Sequence, residues 1–175
     1  MDNHWYVIAG GVCSGKTSVI EELKGRGYHV VPETARELID EGMRAGKTLE
    51  ESRGDVLDFQ RRVIARQSEK EAALPKDIPV FLDRGAPDAR AFLSFNHIEE
   101  PADITEALTR SRYRKVFMLE PIRFVSDYYR IETAEDIERL HQEHVRAYES
   151  LGIDIVDVPV MPVPERADFI LSKLD

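Results

Sequence analysis

The stretch Gly10-Gly11-Val12-Cys13-Ser14-Gly15-Lys16-Thr17 decides how the chain is read. It is a glycine, four free positions and then Gly-Lys-Thr, the pattern of a phosphate-binding loop. Its context agrees. The apolar run Trp5–Ala9 before it suits a buried strand, and Lys16–Lys24 after it reads as a helix with Val19, Ile20 and Leu23 at helical spacing. Glycines let the backbone turn sharply, so that successive N–H groups can face one anion. The helix start adds its positive dipole end. On this reading residues 10–18 (Gly10, Gly11, Val12, Cys13, Ser14, Gly15, Lys16, Thr17 and Ser18) hold the phosphates of a nucleoside triphosphate such as ATP. Lys16 reaches the β- and γ-phosphates, and the Thr17 hydroxyl serves Mg²⁺.

Strand-like and helix-like runs alternate along the rest of the chain. Tyr28–Val31, Val80–Leu82, Lys115–Leu119 and Ile153–Val158 read as further strands. Helices are expected from Pro32–Arg36 through Leu38 and Ile39 until Gly42–Lys47 breaks the run, over Leu49–Leu74 as one long charged helix, and over Pro87–Phe95, Ile104–Arg110, Thr133–Ser150 and Glu165–Leu174. Such alternation predicts an α/β fold of the P-loop NTPase type. Its five-stranded parallel sheet carries helices on both faces, and ligands sit at the carboxyl ends of the strands. A length of 175 residues suits one domain spanning residues 1–175.

The charge balance, 24 basic against 33 acidic residues for a net −9, argues against broad nucleic-acid or membrane binding. A local basic pocket for phosphates remains compatible with it. No apolar run is long enough to span a membrane, and the first residues lack the basic-then-apolar order of a signal peptide. A single cysteine excludes an internal disulfide and fits a reducing, cytoplasmic setting. The long helix Leu49–Leu74 could pack against a second copy in a homodimer, or simply expose a charged face.

Several side chains could carry chemistry. Asp83 follows an apolar strand and is placed to hold Mg²⁺; a turn-forming role is the alternative. Arg84 could clamp a phosphate or substrate hydroxyls, or sit in a structural ion pair. Glu33 ends the second strand, where a carboxylate could take the proton of an attacking hydroxyl or merely favour a helix N-terminus. Arg36, one turn on, could hold the acceptor or pair with Glu33. Arg123 and Arg130, flanking Asp127 and Tyr128, suggest an arginine-bearing lid over residues 120–133, with a solvated helix face as the alternative. Arg110, Arg112 and Arg114 read as surface, and His141 and His144 as surface or packing residues. The loop Pro159–Pro164 is placed to flank an adenine base. Cys13 at the helix start is a candidate for oxidation rather than a nucleophile.

Gly10–Thr17, Pro32–Arg36, Leu82–Gly85 followed by Pro87 and Asp88, and the closing segment from Leu151 to Arg166 together resemble a family of small AAA-like P-loop domains. That family is related to the ribosylnicotinamide kinase domain of bacterial NAD-biosynthesis regulators. More distantly the chain is similar to deoxynucleoside kinases, in which a carboxylate after strand two is the base and an acidic–Arg pair follows strand three. Glu33 and Asp83-Arg84 match those positions. The resemblance implies a Mg²⁺-ATP-dependent phosphotransferase acting on a small-molecule acceptor such as a nucleoside or ribosylnicotinamide. Lys16, Glu33, Asp83, Arg84, Arg123 and Arg130 would be catalytic, and Thr17 and Asp83 would serve the metal. It also permits a nucleotide-binding switch or slow NTPase that signals to a protein partner. A toxin–antitoxin or resistance kinase is a third, weaker reading.

Overall fold

The computed structural model describes residues 3–11, 14–122 and 133–174. Its strands are β1 (Trp5–Ala9), β2 (His29–Val31), β3 (Val80–Asp83), β4 (Lys115–Leu119) and β5 (Asp154–Val158), joined in one parallel sheet of order β2-β3-β1-β4-β5. The helices are α1 (Lys16–Gly25), α2 (Thr34–Arg44), α3 (Leu49–Arg53), α4 (Val56–Ala72), α5 (Asp88–Phe95), α6 (Ala102–Thr109), α7 (Ala134–Glu149) and α8 (Val163–Leu171). After β1 the chain crosses to one side of the sheet for β2 and β3, then to the other for β4 and β5. The crevice of such a doubly wound sheet opens where the direction reverses, at the carboxyl end of β1. The phosphate loop begins there.

Alternation along the central strands sends side chains to both faces, as a sheet buried on two sides requires. Tyr6, Ile8, Phe81, Phe117 and Leu119 pack with Val19, Ile20 and Leu23 of α1 and Ala167 and Ile170 of α8. Trp5, Val7, Ala9, Leu82 and Met118 face the other way, onto Tyr113 and onto Tyr148 of α7. A smaller cluster of Ile64, Ala89, Leu93, Ile104 and Leu108 joins α4, α5 and α6.

The long helix expected over Leu49–Leu74 is in fact two. Thr48 and Glu51 form a reciprocal capping box that starts α3, Gly54 then takes φ +63°, and the Asp55 side chain accepts from the Asp58 N–H to start α4. Two good caps seven residues apart outweigh a continuous apolar period. The charged face of α4 is engaged within the chain. Arg61 bonds Asp103, Arg66 bonds Glu41, and Lys70 bonds Glu37. The start of α7 is also firmer than its sequence suggests. Asp136 replaces the usual Glu or Gln, yet it still closes the box with Thr133 in both directions.

Candidate functional site

Phosphate-loop geometry follows from β1. Gly10 adopts φ +143°, and a Cβ there would lie 2.8 Å from the Leu119 carbonyl oxygen and 2.9 Å from Ser14 Oγ. Only glycine lets the chain leave β1 hard against the end of β4. Gly15, at φ +79°, caps the start of α1, and its carbonyl accepts the first helical bond from Val19. Lys16 opens that helix. Burial, then the nearby Arg84 guanidinium, push its ammonium down to about 8 against the pull of Asp83 and Glu33. Thr17 and Ser18 follow, exposed at the helix start. Val12 and Cys13 lie outside the described residues.

β3 delivers the acidic end of the site. Asp83 is its last residue, in register with Ile8 of β1. The Arg84 N–H then bonds the Ile8 carbonyl at 3.1 Å, so the chain stays beside the phosphate loop for one more residue. The Asp83 Oδ1 is buried and has no hydrogen-bond partner among the described residues. Burial, reinforced by Glu33, raises its carboxyl to about 6 against Lys16 and Arg84. An orphaned carboxylate oxygen beside a phosphate loop is a fitting donor for a hard cation, which takes oxygen ligands and keeps several waters. Among the described residues no group of three or more His, Cys, Asp or Glu side chains could hold a metal ion alone. Thr17 and Asp83 would therefore have to share Mg²⁺ with phosphates and water.

Arg84 takes φ +69°, a conformation that costs a non-glycine residue on the order of 1 kcal/mol or more. The contacts of its side chain hold it there. Nε donates to Glu33 at 3.2 Å, Nη1 to Asp88 Oδ1 at 2.9 Å, and the guanidinium lies 5.3 Å from the Phe92 ring centre. Burial opposes the charge, but Asp88 and Glu33 more than restore it and raise the pKa. The ion-pair reading of Arg84 thus holds in this state, and the partner of Glu33 is Arg84 rather than Arg36. Glu33 occupies the N-cap position of α2, yet its side chain caps nothing there.

Behind Arg84 lies a layer to which the sequence assigns no role. Asp88 accepts from Arg84, from the Gly85 N–H at 3.0 Å and from the Tyr148 hydroxyl, and the Nδ1 of His144 lies 3.1 Å from its Oδ1. Burial pushes the Asp88 carboxyl up, but His144 and Arg84 together hold it well below the usual carboxylate range. His144 is fully buried, and that burial lowers its pKa despite Asp88. Neither His144 nor His141 is a surface residue, since both are at least nine-tenths buried. The signal that could have found this layer is spacing. Arg84 and Asp88 are four apart, as are His144 and Tyr148 on one face of α7.

In front of Arg84 is a pocket between α2, α4 and α5, lined by Glu33, Gln60, Gln67, Asp83, Arg84 and Phe92 among others. Thr34 donates its hydroxyl proton to Gln67, which passes a bond on to Glu71 at 2.9 Å. The structure thus brings Lys16, Glu33, Asp83 and Arg84 together at the carboxyl ends of β1, β2 and β3. Arg123, Asp127, Tyr128 and Arg130, with most of the expected lid, lie outside the described residues. Arg110 bonds Glu106, and the Arg112 guanidinium bonds the Thr109 and Ser111 carbonyls; both residues are exposed.

The sheet order and the loop after β1 define the class, an α/β P-loop nucleotide-binding fold of the nucleoside-kinase type. Within it, an AAA domain family profile matches residues 5–166, so the chain belongs to that AAA domain family. No curated protein sequence matches it. Among solved structures, a thymidylate kinase from Ehrlichia chaffeensis is 14% identical with a TM-score of 0.68, and the match covers 98% of both chains. A deoxyadenosine kinase from M. mycoides with bound dATP is 17% identical with a TM-score of 0.65, covering 97% of this chain and 98% of that one. A NadR protein in complex with NR is 18% identical with a TM-score of 0.64. That match covers 90% of this chain and 44% of the other, so this chain spans less than half of the NadR length. At these identities the likeness is one of fold. Among the described residues no helix is long and apolar enough to cross a membrane.

Proposed function

We propose that the chain is a Mg²⁺-ATP-dependent phosphotransferase acting on a small hydroxylated acceptor of the nucleoside or ribosylnicotinamide type. The observation that carries this reading is the convergence of Glu33, Asp83 and Arg84 on one wall of the α2–α4–α5 pocket, next to the helix that Lys16 opens. Phosphoryl transfer needs mainly positioning and electrostatic stabilisation, so the roles are few. The loop amides and Lys16 hold the triphosphate. Thr17 and Asp83 hold Mg²⁺, which neutralises charge on the phosphate oxygens. Glu33 takes the proton of the acceptor hydroxyl, and Arg84 holds that carboxylate in place. Arg123 and Arg130 would close from a lid onto the transferring group. The kinase neighbours of this fold, whose names specify a nucleoside, a nucleotide or NR, support the choice of acceptor class.

The test is ADP release from Mg²⁺-ATP across a panel of nucleosides, ribosylnicotinamide and simple alcohols, with Lys16→Ala as the blank. Stimulation by one acceptor, absent from the blank, is expected. Tight ATP or GTP binding with slow, acceptor-independent turnover would overturn the kinase reading in favour of a nucleotide switch.

A further inference from the structure

Arg166, on α8, is 2% exposed. Its guanidinium donates to three backbone carbonyls: Nε to Pro159 at 2.9 Å, Nη1 to Ser14 at 2.5 Å and Nη2 to Glu120 at 3.2 Å. Those carbonyls lie just after β5, within the phosphate loop and just after β4. Among the described residues no carboxylate pairs with it, and burial lowers its pKa with only Glu120 opposing. A buried cation held by carbonyl oxygens, with only the Glu120 charge nearby in its favour, is a costly choice for a helix face, where an apolar side chain would pack more cheaply. The contact with Ser14 suggests a reason for it.

A trans peptide is planar, so its C=O and the next N–H point in opposite directions. Arg166 draws the Ser14 carbonyl back toward α8, which turns the Gly15 N–H away from Arg166. Gly15 sits at φ +79°, and a Cβ there would lie 3.3 Å from Arg166 Nη1, so the guanidinium backs directly onto this residue. Glycine accepts either sign of φ with little cost. The Ser14–Gly15 peptide could therefore flip, and a flipped peptide would present a carbonyl oxygen to the phosphates instead of a donor. The glycine that allows the loop its shape also requires something to hold its orientation.

We infer that Arg166 is a positioning residue of the phosphate site: by gripping the Ser14 carbonyl it commits the Gly15 N–H to the anion, and it places a fixed positive charge behind the loop. The inference rests on the nucleotide-binding part of the proposed function and is independent of the acceptor. The same guanidinium ties the loop to Pro159, at the start of the segment expected beside the base, and to Glu120, at the start of the segment expected to form the lid.

The test compares the wild-type chain with Arg166→Gln by calorimetry with Mg²⁺-ADP and Mg²⁺-ATP, and by the amide spectrum of ¹⁵N-labelled protein. Losing one charge-assisted donor should weaken nucleotide binding about ten- to a hundredfold. The Gly15 amide should shift on Mg²⁺-ADP addition in the wild type but not in the variant, while the Lys16 and Thr17 amides respond in both. A merely structural role would lower the melting temperature and leave the Gly15 response of the folded fraction intact, and that result overturns the inference. So does wild-type affinity in the variant. Should Arg166→Gln fail to fold, Arg166→Lys keeps the charge and loses the three-way grip, and it carries the same comparison. A wild-type chain that binds neither ATP nor GTP removes the nucleotide reading itself, an outcome distinct from a variant that binds normally.

Discussion

Glu33 and Arg84 are joined by one Nε–H···Oε1 bond of 3.2 Å, which ties the N-terminus of α2 to the end of β3. No hydrogen bond joins the other Glu33 oxygen to the described residues, and Glu33 is one of the residues that line the pocket. A carboxylate steered by one bond and free on its other oxygen is suited to accept a proton from a bound hydroxyl. Glu33→Gln should lower acceptor phosphorylation about 10²- to 10⁴-fold. Mg²⁺-ATP affinity should change by no more than a few-fold, because among the described residues Glu33 makes no hydrogen bond to the phosphate loop and acts on Lys16 only through its charge. Steady-state kinetics with calorimetry on the same samples checks this. A variant that keeps full turnover would remove Glu33 from the mechanism.

Asp88 governs whether Arg84 can stay buried. Its carboxylate is 5% exposed and gathers Arg84, Gly85, Tyr148 and His144. Removing its charge leaves Glu33 as the ion-pair partner of the buried guanidinium among the described residues, with Asp83 as a more distant charge. Asp88→Asn should therefore cost about 3 kcal/mol or more in a urea titration. Tyr148→Phe, which removes a single donor to the same carboxylate, should cost about 1 kcal/mol. Equal losses for the two would show that the Arg84 charge does not depend on Asp88.

The His144 environment sets a pH dependence. Burial holds its folded pKa below the ordinary 6.5, although Asp88 opposes this. The unfolded chain therefore binds a proton first as the pH falls. Stability from His144 is complete above about 6.5 and is lost below it, at up to about 1.4 kcal/mol per pH unit. Asp88, whose pKa is also depressed, loses its contribution at lower pH, once unfolded carboxylates protonate near 4. Asp83 works in the opposite sense. Its folded pKa is raised to about 6, so falling pH relieves a penalty between 6 and 4. The difference between wild type and His144→Gln isolates the histidine. The wild-type advantage should shrink from pH 7 to pH 5, and a flat difference would mean that His144 is not held neutral.

The sheet was legible because it depends on short-range pattern. Five apolar runs alternate with helical periods, and a loop signature follows the first of them. The proximity of Glu33, Asp83 and Lys16 was legible for a related reason. Each sits at the carboxyl end of a strand or the start of the helix that follows, and the fold places those ends together. Asp88 and His144 left only a four-residue spacing as a trace, and Arg166 left none, because their contacts are tertiary. Arg166 looks like any arginine on an amphipathic helix, and only its burial against Ser14, Glu120 and Pro159 distinguishes it. The break at Gly54 was missed because the apolar period continues through it, whereas the Thr48 and Asp55 caps decide the boundary.

The final prediction separates the shape of the phosphate loop from its stability. Gly10→Ala places a Cβ where the Leu119 carbonyl oxygen lies 2.8 Å away, and Leu119 belongs to β4, which cannot yield. The loop must move instead, at a strain of about 1–3 kcal/mol for the backbone alone. Gly25, the last residue of α1, has open space around its missing Cβ and no positive φ. Gly25→Ala should stabilise the chain by about 0.5 kcal/mol and leave nucleotide affinity unchanged. Gly10→Ala should weaken Mg²⁺-ATP binding at least about tenfold, because displaced amides no longer converge on one anion. Thermal melts and calorimetry on both variants decide the matter. If Gly10→Ala melts lower but binds as the wild type does, the exit from β1 sets stability alone, and the amides further along the loop suffice for the phosphates.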